Sequence, residues 1–458
     1  MIFRILLWGG ILGFVPAAWA KILQVGQGGS FTSVREAIRA AEPGDTIRVQ
    51  RGTYSGNLFL DKRLALEGIG KPVIRGDGKD SVITVLADGC AIRGFVVERS
   101  GPMLVYEDSG ILLKSDNNRI EGNELRDILF GIYLYQSDGN TIRENVISGR
   151  PHLESGERGS GIHIWDSVNN TILRNAISQE RDGMYLQNAN RSFISGNRVH
   201  DLRYGLHYMF SDDNRFEDND FFNNVAGAAI MYSKNIVFRR NAFVRNRGFS
   251  SYGILFQDSL DCVAEENTIS DNTTGVFMEA LNRSVFRRNT IAANDIAIQA
   301  FSSASQDVFT ENNFVANLSP FQLVGKVTDI RWTVGRRGNY WSEYDGYDLD
   351  GNGIGDVEFR IQNAFEHLEG NYPRLRIYLS SPASSALAAS QRLLPILDPP
   401  KTADRYPLMR PMDLEAREPG RIVGAGRRMP ALVIACALIL IAALILAWGR
   451  AAWSTSLS

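Results

Sequence analysis

A chain of 458 residues with 44% hydrophobic and 22% charged side chains has ample material for a large core, which excludes an intrinsically disordered protein. Its 49 Lys and Arg nearly balance 51 Asp and Glu, for a formal net charge of −2, so no basic excess points to nucleic acid. Three cysteines in such a length exclude a disulfide-built scaffold and leave the core to hold the fold.

Taken in chain order, Arg4 precedes an apolar run to Val15, then Pro16 and the small-residue pattern Ala18-Trp19-Ala20. This is the charged, apolar and cleavable plan of a secretory signal over residues 1–20, with the cut expected between Ala20 and Lys21. Residues 21–100 are expected to hold an N-terminal cap and the first coils. Thr32 or Ser33 can N-cap a short helix through Ala41, whose Val34, Ala37, Ile38 and Ala41 would cover an open core. Pro43-Gly44-Asp45 stops that helix, and Thr46–Val49 begins a strand.

From 101 to 320 one phrase returns: Asn118-Arg-Ile-Glu-Gly-Asn123-Glu-Leu125, then Asn140-Thr-Ile-Arg-Glu-Asn145-Val-Ile147 and Asn170-Thr-Ile-Leu-Arg-Asn175-Ala-Ile177. Its second Asn recurs at 123, 145, 175, 197, 219, 241, 267, 289 and 312, with gaps of 22, 30, 22, 22, 22, 26, 22 and 23. An apolar residue stands three before and two after each of these, Ile120 and Leu125 in the first, Phe286 and Ile291 in the eighth. Alternation about a corner fits this register and a helical period does not. A second strand begins at a Gly in most coils: Gly131, Gly161, Gly183, Gly205, Gly253, Gly275. Such units bury their apolar face only against their neighbours, so the expected fold is all-β, a right-handed parallel β-helix of about ten coils with a 22-residue repeat, an N-terminal helical cap and a C-terminal transmembrane helix. Asn suits the corner because it tolerates left-handed backbone and its amide can bond the next coil. The two long gaps place loops near Gly149–Gly159 and Arg247–Tyr252, and insertions on a solenoid commonly mark its binding side.

Two outward columns follow from the Gly register. Two residues on stand Tyr133, His163, Tyr185, His207, Ala229, Leu255 and Phe277; four residues on stand Tyr135, Trp165, Gln187, Met209, Met231, Gln257 and Glu279. His207 and Met209 share a strand face roughly 7 Å apart, and Met231 lies one coil, ~5 Å, from Met209. Imidazole with thioethers is a soft set suited to Cu(I), so His207, Met209, Met231 and, two coils away, His163 are the candidate copper residues. An aromatic surface that packs on a loop or a partner, with Met as adaptable filler, is the alternative. A glycosidase needs paired carboxylates and a polysaccharide lyase needs Ca²⁺-binding Asp with a base, and neither column supplies them. No catalytic residue is therefore assigned, and the chain is expected not to be an enzyme.

Residues 321–380 are expected to form a C-terminal cap with an Asp/Gly-rich loop. Asp348, Asp350, Asn352 and Asp356 occupy the first, third, fifth and ninth places of a calcium loop with Gly353 at the sixth, but Phe359 stands where the bidentate Glu belongs. Calcium and a plain closing turn are equal readings. The Pro-rich 381–430 stretch is expected to be a tether or docking segment. Ala431–Trp448 is an uncharged run between Arg428 and Arg450, about the thickness of a bilayer core, and is expected to anchor the exported body to the inner membrane.

The opening Ser33-Val-Arg-Glu-Ala-Ile to Val49 with Gly52-Thr-Tyr54 resembles the start of carbohydrate-binding and sugar-hydrolase type β-helices. The box Gly338-Asn-Tyr-Trp341 to Gly355-Asp356, with Tyr406-Pro-Leu-Met-Arg-Pro411, resembles the NosD family of periplasmic factors in nitrous oxide reductase maturation. That resemblance implies an ABC transporter ATPase and membrane subunit as partners, with a periplasmic copper chaperone, and delivery of copper to nitrous oxide reductase. It implies no ligand set. No Walker-type loop occurs in this sequence, so any ATP hydrolysis would be a partner's. A calcium-assisted polysaccharide lyase or epimerase and a metal-free docking platform remain as alternatives.

Overall fold

The computed structural model describes residues 20–325, 329–361, 386 and 402–419. The recurring phrase folds as one coil: a three-residue strand, a tight corner at the second Asn, another three-residue strand, and a longer strand from the Gly. Thr141–Arg143, Val146–Ser148 and Ser160–Trp165 are one such set. Stacked in parallel, these strands form three sheets. Sheet A has 13 strands from Ile22–Val25 to Val308–Thr310, sheet B has 13 from Thr53–Ser55 to Tyr340–Trp341, and sheet C has 12 from Leu58–Leu60 to Ser319–Val324. The core is the tube they enclose, a continuous column of buried Ile, Leu, Val and Phe.

The expected ten coils are thus an undercount, and the reason is chemical. Cys90 and Phe95 occupy the two Asn positions in an early coil, where their backbone N–H groups still donate to Asn118 and Asn123 Oδ1 at 2.9 and 3.0 Å. Only the acceptor's coil needs the amide side chain, so coils before residue 118 stack without the phrase that reveals the others.

The corner carries a second correction. The left-handed residue is the one before each Asn: Glu144, Arg174, Asp218, Arg240, Glu266, Arg288 and Glu311 have φ between 50 and 56°. Asn instead serves as the rung. Asn145 donates its backbone N–H and Nδ2 to Asn175 Oδ1, both at 3.0 Å, and the pattern repeats to Asn312 and Asn339. Each non-Gly left-handed residue costs roughly 1–2 kcal/mol, which the fully bonded buried amides offset.

Ser33 is the N-cap of the helix Val34–Ala40, although its side chain makes no capping bond; Val34, Ala37 and Ile38 are buried over the first coil as expected. At the other end Asn339 is the last rung. Its N–H donates to Asp404 Oδ2 at 2.7 Å, and Trp341 Nε1 donates to the same oxygen at 3.0 Å. From Asp404 the chain turns back along sheet B. Met412 bonds Asn313, Arg417 bonds Thr268, Asp220 and the Arg240 carbonyl, and the Pro419 carbonyl meets Arg245. Residues 402–419 are thus a strap that runs along sheet B from Asn313–Val315 back to Asp220–Phe222.

The 30- and 26-residue gaps open at the same corner, where sheet B passes to sheet C, between Ser148 and Ser160 and between Val244 and Tyr252. The expected signal segment falls on residues outside those described, as does the expected transmembrane helix at 431–448. Among the described residues no helix is long and apolar enough to cross a membrane.

Candidate functional site

The strand pairing sets the outward columns side by side as the period requires. Tyr185 pairs His207 and His207 pairs Ala229, while Met209 pairs Met231 on adjacent strands of the same face. His207 and Met209 alternate outward on Tyr204–Met209, with the buried Tyr208 between them pointing inward. His207, Met209 and Met231 are set at neighbouring positions of one face. His163 is not, because the Tyr185 ring stands between, 4.6 Å from His163 and 4.9 Å from His207.

His163 is no exposed aromatic neighbour. Tyr133 and Tyr185 pack on it at 4.5 and 4.6 Å, with Phe130 and Trp165 farther out, and neither ring nitrogen has a partner among the described residues. Burial, aided by the positive charge of Arg181, pushes its pKa down to about 3, so the imidazole is neutral. The excursion between Glu98 and Ser109 brings Glu107 within hydrogen-bonding reach of Tyr133, one of the rings packed on His163.

The structure adds to this face a carboxylate that neither forward column contains. A third column stands one residue before each Gly, and in it Asp182 is wholly buried. Arg203 Nε and Nη2 donate to its two oxygens at 3.0 and 2.7 Å, and His207 Nδ1 lies 3.2 Å from Oδ2. Burial works to raise the Asp182 pKa, but the bonds to His207 and Arg203 outweigh it and hold the group below the usual carboxylate range. Tyr204, from the same column, packs its ring 5.0 Å from His207. Reading the residue ahead of each Gly would have found both. His207 Nδ1 is thus engaged by a carboxylate, a contact of the kind that fixes the orientation of an imidazole ring.

The expected calcium residues lie in one exposed loop. Asp348 accepts from the N–H groups of Gly351, Asn352 and Gly353 at 2.8, 3.2 and 2.8 Å, Asp350 accepts from Asn352, and Asp356 accepts from the Leu349 N–H at 2.7 Å. The Gly353 N–H, foremost among these, lowers the Asp348 pKa. Among the described residues no group of three His, Cys, Asp or Glu side chains converges as a metal site.

A family model described as the periplasmic copper-binding protein NosD matches residues 145–346, and one for a protein of unknown function matches 58–199. A relative from Pseudomonas aeruginosa, described as a probable ABC transporter binding protein NosD, is 30% identical over 381 residues, covering 80% of this chain and 88% of its own. The chain belongs to the NosD family. A NosD of the same description from Stutzerimonas stutzeri is 27% identical and covers 79% of this chain and 86% of its own. Every residue of the sheet C cluster lies inside the segment matched to NosD. Among solved structures, the A-module of mannuronan C-5 epimerase AlgE4 from Azotobacter vinelandii aligns with TM-score 0.53 at 16% identity, over 65% of this chain and 93% of its own. The alginate lyase AlyGC aligns with TM-score 0.50 at 16% identity, over 67% and 54%. At such identity these neighbours share the β-helix alone.

Proposed function

We propose that this NosD-family chain is a periplasmic scaffold that receives copper and passes it to an apo-metalloenzyme, nitrous oxide reductase, in company with an ABC transporter. In this reading His207 Nε2 and the Met209 and Met231 sulfurs hold Cu(I). The observation that carries it is the register that sets Met231 beside Met209 on the face where Asp182 orients His207. One imidazole and two thioethers make a soft, neutral donor set, which favours Cu(I) over Ca²⁺ or Mg²⁺. Few strong donors also suit cargo that must leave again. His163, walled off by Tyr185, is outside this set and is proposed only as a separate neutral imidazole. The test is a Cu(I) titration under reducing conditions against a chromophoric chelator. The full chain should bind one ion that His207→Ala with Met209→Ala abolishes; equal affinity in the double variant would remove the cluster from the mechanism.

One observation favours a second reading. Asp182, His207 and Tyr185 supply acid–base groups beside Arg203, the kind of set that proton abstraction next to a carboxylate requires. If the chain were a lyase, alginate or pectin would gain unsaturated-sugar absorbance on incubation with it; an epimerase would instead change the uronate proton spectrum. For the 348–356 loop we propose calcium as a structural ion, tested by whether Ca²⁺ raises the melting temperature of wild type and not of Asp348→Ala.

A further inference from the structure

The two insertions at the sheet B to sheet C corner wall a cleft of ≈ 460 Å³. That volume lies within the range of small-ligand sites. Its floor is three tight turns, around Glu180, Leu202 and Asn224, and its walls carry Arg158 from the first insertion and Arg245 and Arg247 from the second, with Arg203 between. Arg247 pairs with Asp271 and Asp295, and Arg203 with Asp182. Arg158 and Arg245 are held by neutral acceptors: the Pro151 and Leu153 carbonyls for the first, Asn223 Oδ1 and the Pro419 carbonyl for the second. Their positive charge is thus positioned without being consumed. The acid on the floor that faces solvent-side groups, Asp201, is turned to His200 Nδ1 at 2.6 Å.

Glu180 supplies the independent sign of a ligand. Its carboxyl is buried against Gly149, and neither oxygen has a hydrogen-bond partner among the described residues. Burial raises its pKa well above the ordinary value, against the pull of Arg150 and Arg158, which favours the protonated, neutral form. A neutral acid without a partner costs about 1–3 kcal/mol unless something accepts from it. An oxyanion would accept that proton's hydrogen bond and take guanidinium bonds from both walls, in the bidentate geometry that arginine offers to carboxylates and phosphates.

We propose that the cleft between the two insertions binds a small organic anion bearing carboxylate or phosphate groups, with Arg158 and Arg245 as clamps and Glu180 as donor. Its clamps and donor are not residues of the copper face, although Arg203 borders both, and the proposal does not depend on copper binding. It is tested by calorimetric titration of the full chain with citrate and with pyrophosphate at fixed ionic strength, glucose serving as the neutral control. Saturable one-site binding of either anion, with glucose silent, is the expected result; citrate alone assigns a carboxylate ligand and pyrophosphate alone a phosphate. Arg158→Gln with Arg245→Gln should weaken binding by about tenfold or more. Because Arg158 also holds its loop, a second variant adds a charge without removing a contact: Val225→Glu, at a half-exposed position on the rim, should weaken binding by a similar factor. No saturable binding of either anion, or equal affinity in Val225→Glu, overturns the proposal.

Discussion

Asp182 grips Arg203 on one side and orients His207 on the other, so a single atom change separates charge from position. Asp182→Asn keeps the size and removes the charge. Loss of such an orienting carboxylate typically costs 10–100-fold in metal affinity, and a chelator competition for Cu(I) should read a drop of about that size if His207 is a ligand. The same group sets an acid limit. Its folded pKa is lowered, so its contribution to stability is present above the unfolded value of about 3.9 and is lost as pH falls through the folded one. Denaturant melts of wild type and Asp182→Asn should therefore begin to draw together as pH falls below about 3.9 and meet only below the folded pKa. Glu180 has the opposite sign. Its raised pKa, with Arg150 and Arg158 facing it, means the folded state keeps a proton that the unfolded state gives up, so stability declines as pH rises above about 4.3. Glu180→Gln should then melt higher than wild type at pH 7.5 and alike at pH 4; a parallel offset at both would show that the carboxyl is not protonated. Of these residues, His207, Met209 and Met231 were legible from the 22-residue period, because stacking converts spacing into contact. Asp182 was not, since the columns were counted forward from each Gly and never backward.

At the scale of the coil, the rung amides tie each coil to both of its neighbours. Asn241 donates to Asn267 and to the Phe216 carbonyl while its oxygen accepts from Asn219. Asn241→Ala leaves buried groups on both neighbouring coils unmatched, at about 1–3 kcal/mol for each group stranded, and chemical denaturation should register a loss of at least about 2 kcal/mol. The aromatic rungs below are equally strict. Phe221 and Phe243 stack at 5.2 Å, and Phe243→Ala should cost about 3–5 kcal/mol. Fold class and register were readable because rung and core residues repeat at fixed spacing. The coil number was not, because a coil whose backbone alone donates, like that of Cys90 and Phe95, carries no mark in its side chains.

Across the whole molecule, the solenoid is held at its ends by different devices, a helix at one and the Asp404 strap at the other. Each coil touches only its neighbours, so damage at one end should stay there. Deleting residues 402–419 should speed hydrogen exchange at the amides near Asn312 and Asn339 and leave those near Asn123 unchanged; uniform deprotection would mean the body unfolds as one unit. The strap's path along sheet B was not foreseeable, since a Pro-rich stretch reads as linker until Arg417 and Met412 are seen against strands nearly a hundred or more residues away.

Every long excursion between residues 123 and 289 leaves from one edge, where sheet B meets sheet C. The first and second are four strand steps apart, roughly 19 Å at the inter-strand spacing. The body is in that sense a ruler: segments spliced at the exposed Gly156 or at the fully exposed Phe249 would be held at heights set in whole coils, with the rungs at the other corners undisturbed.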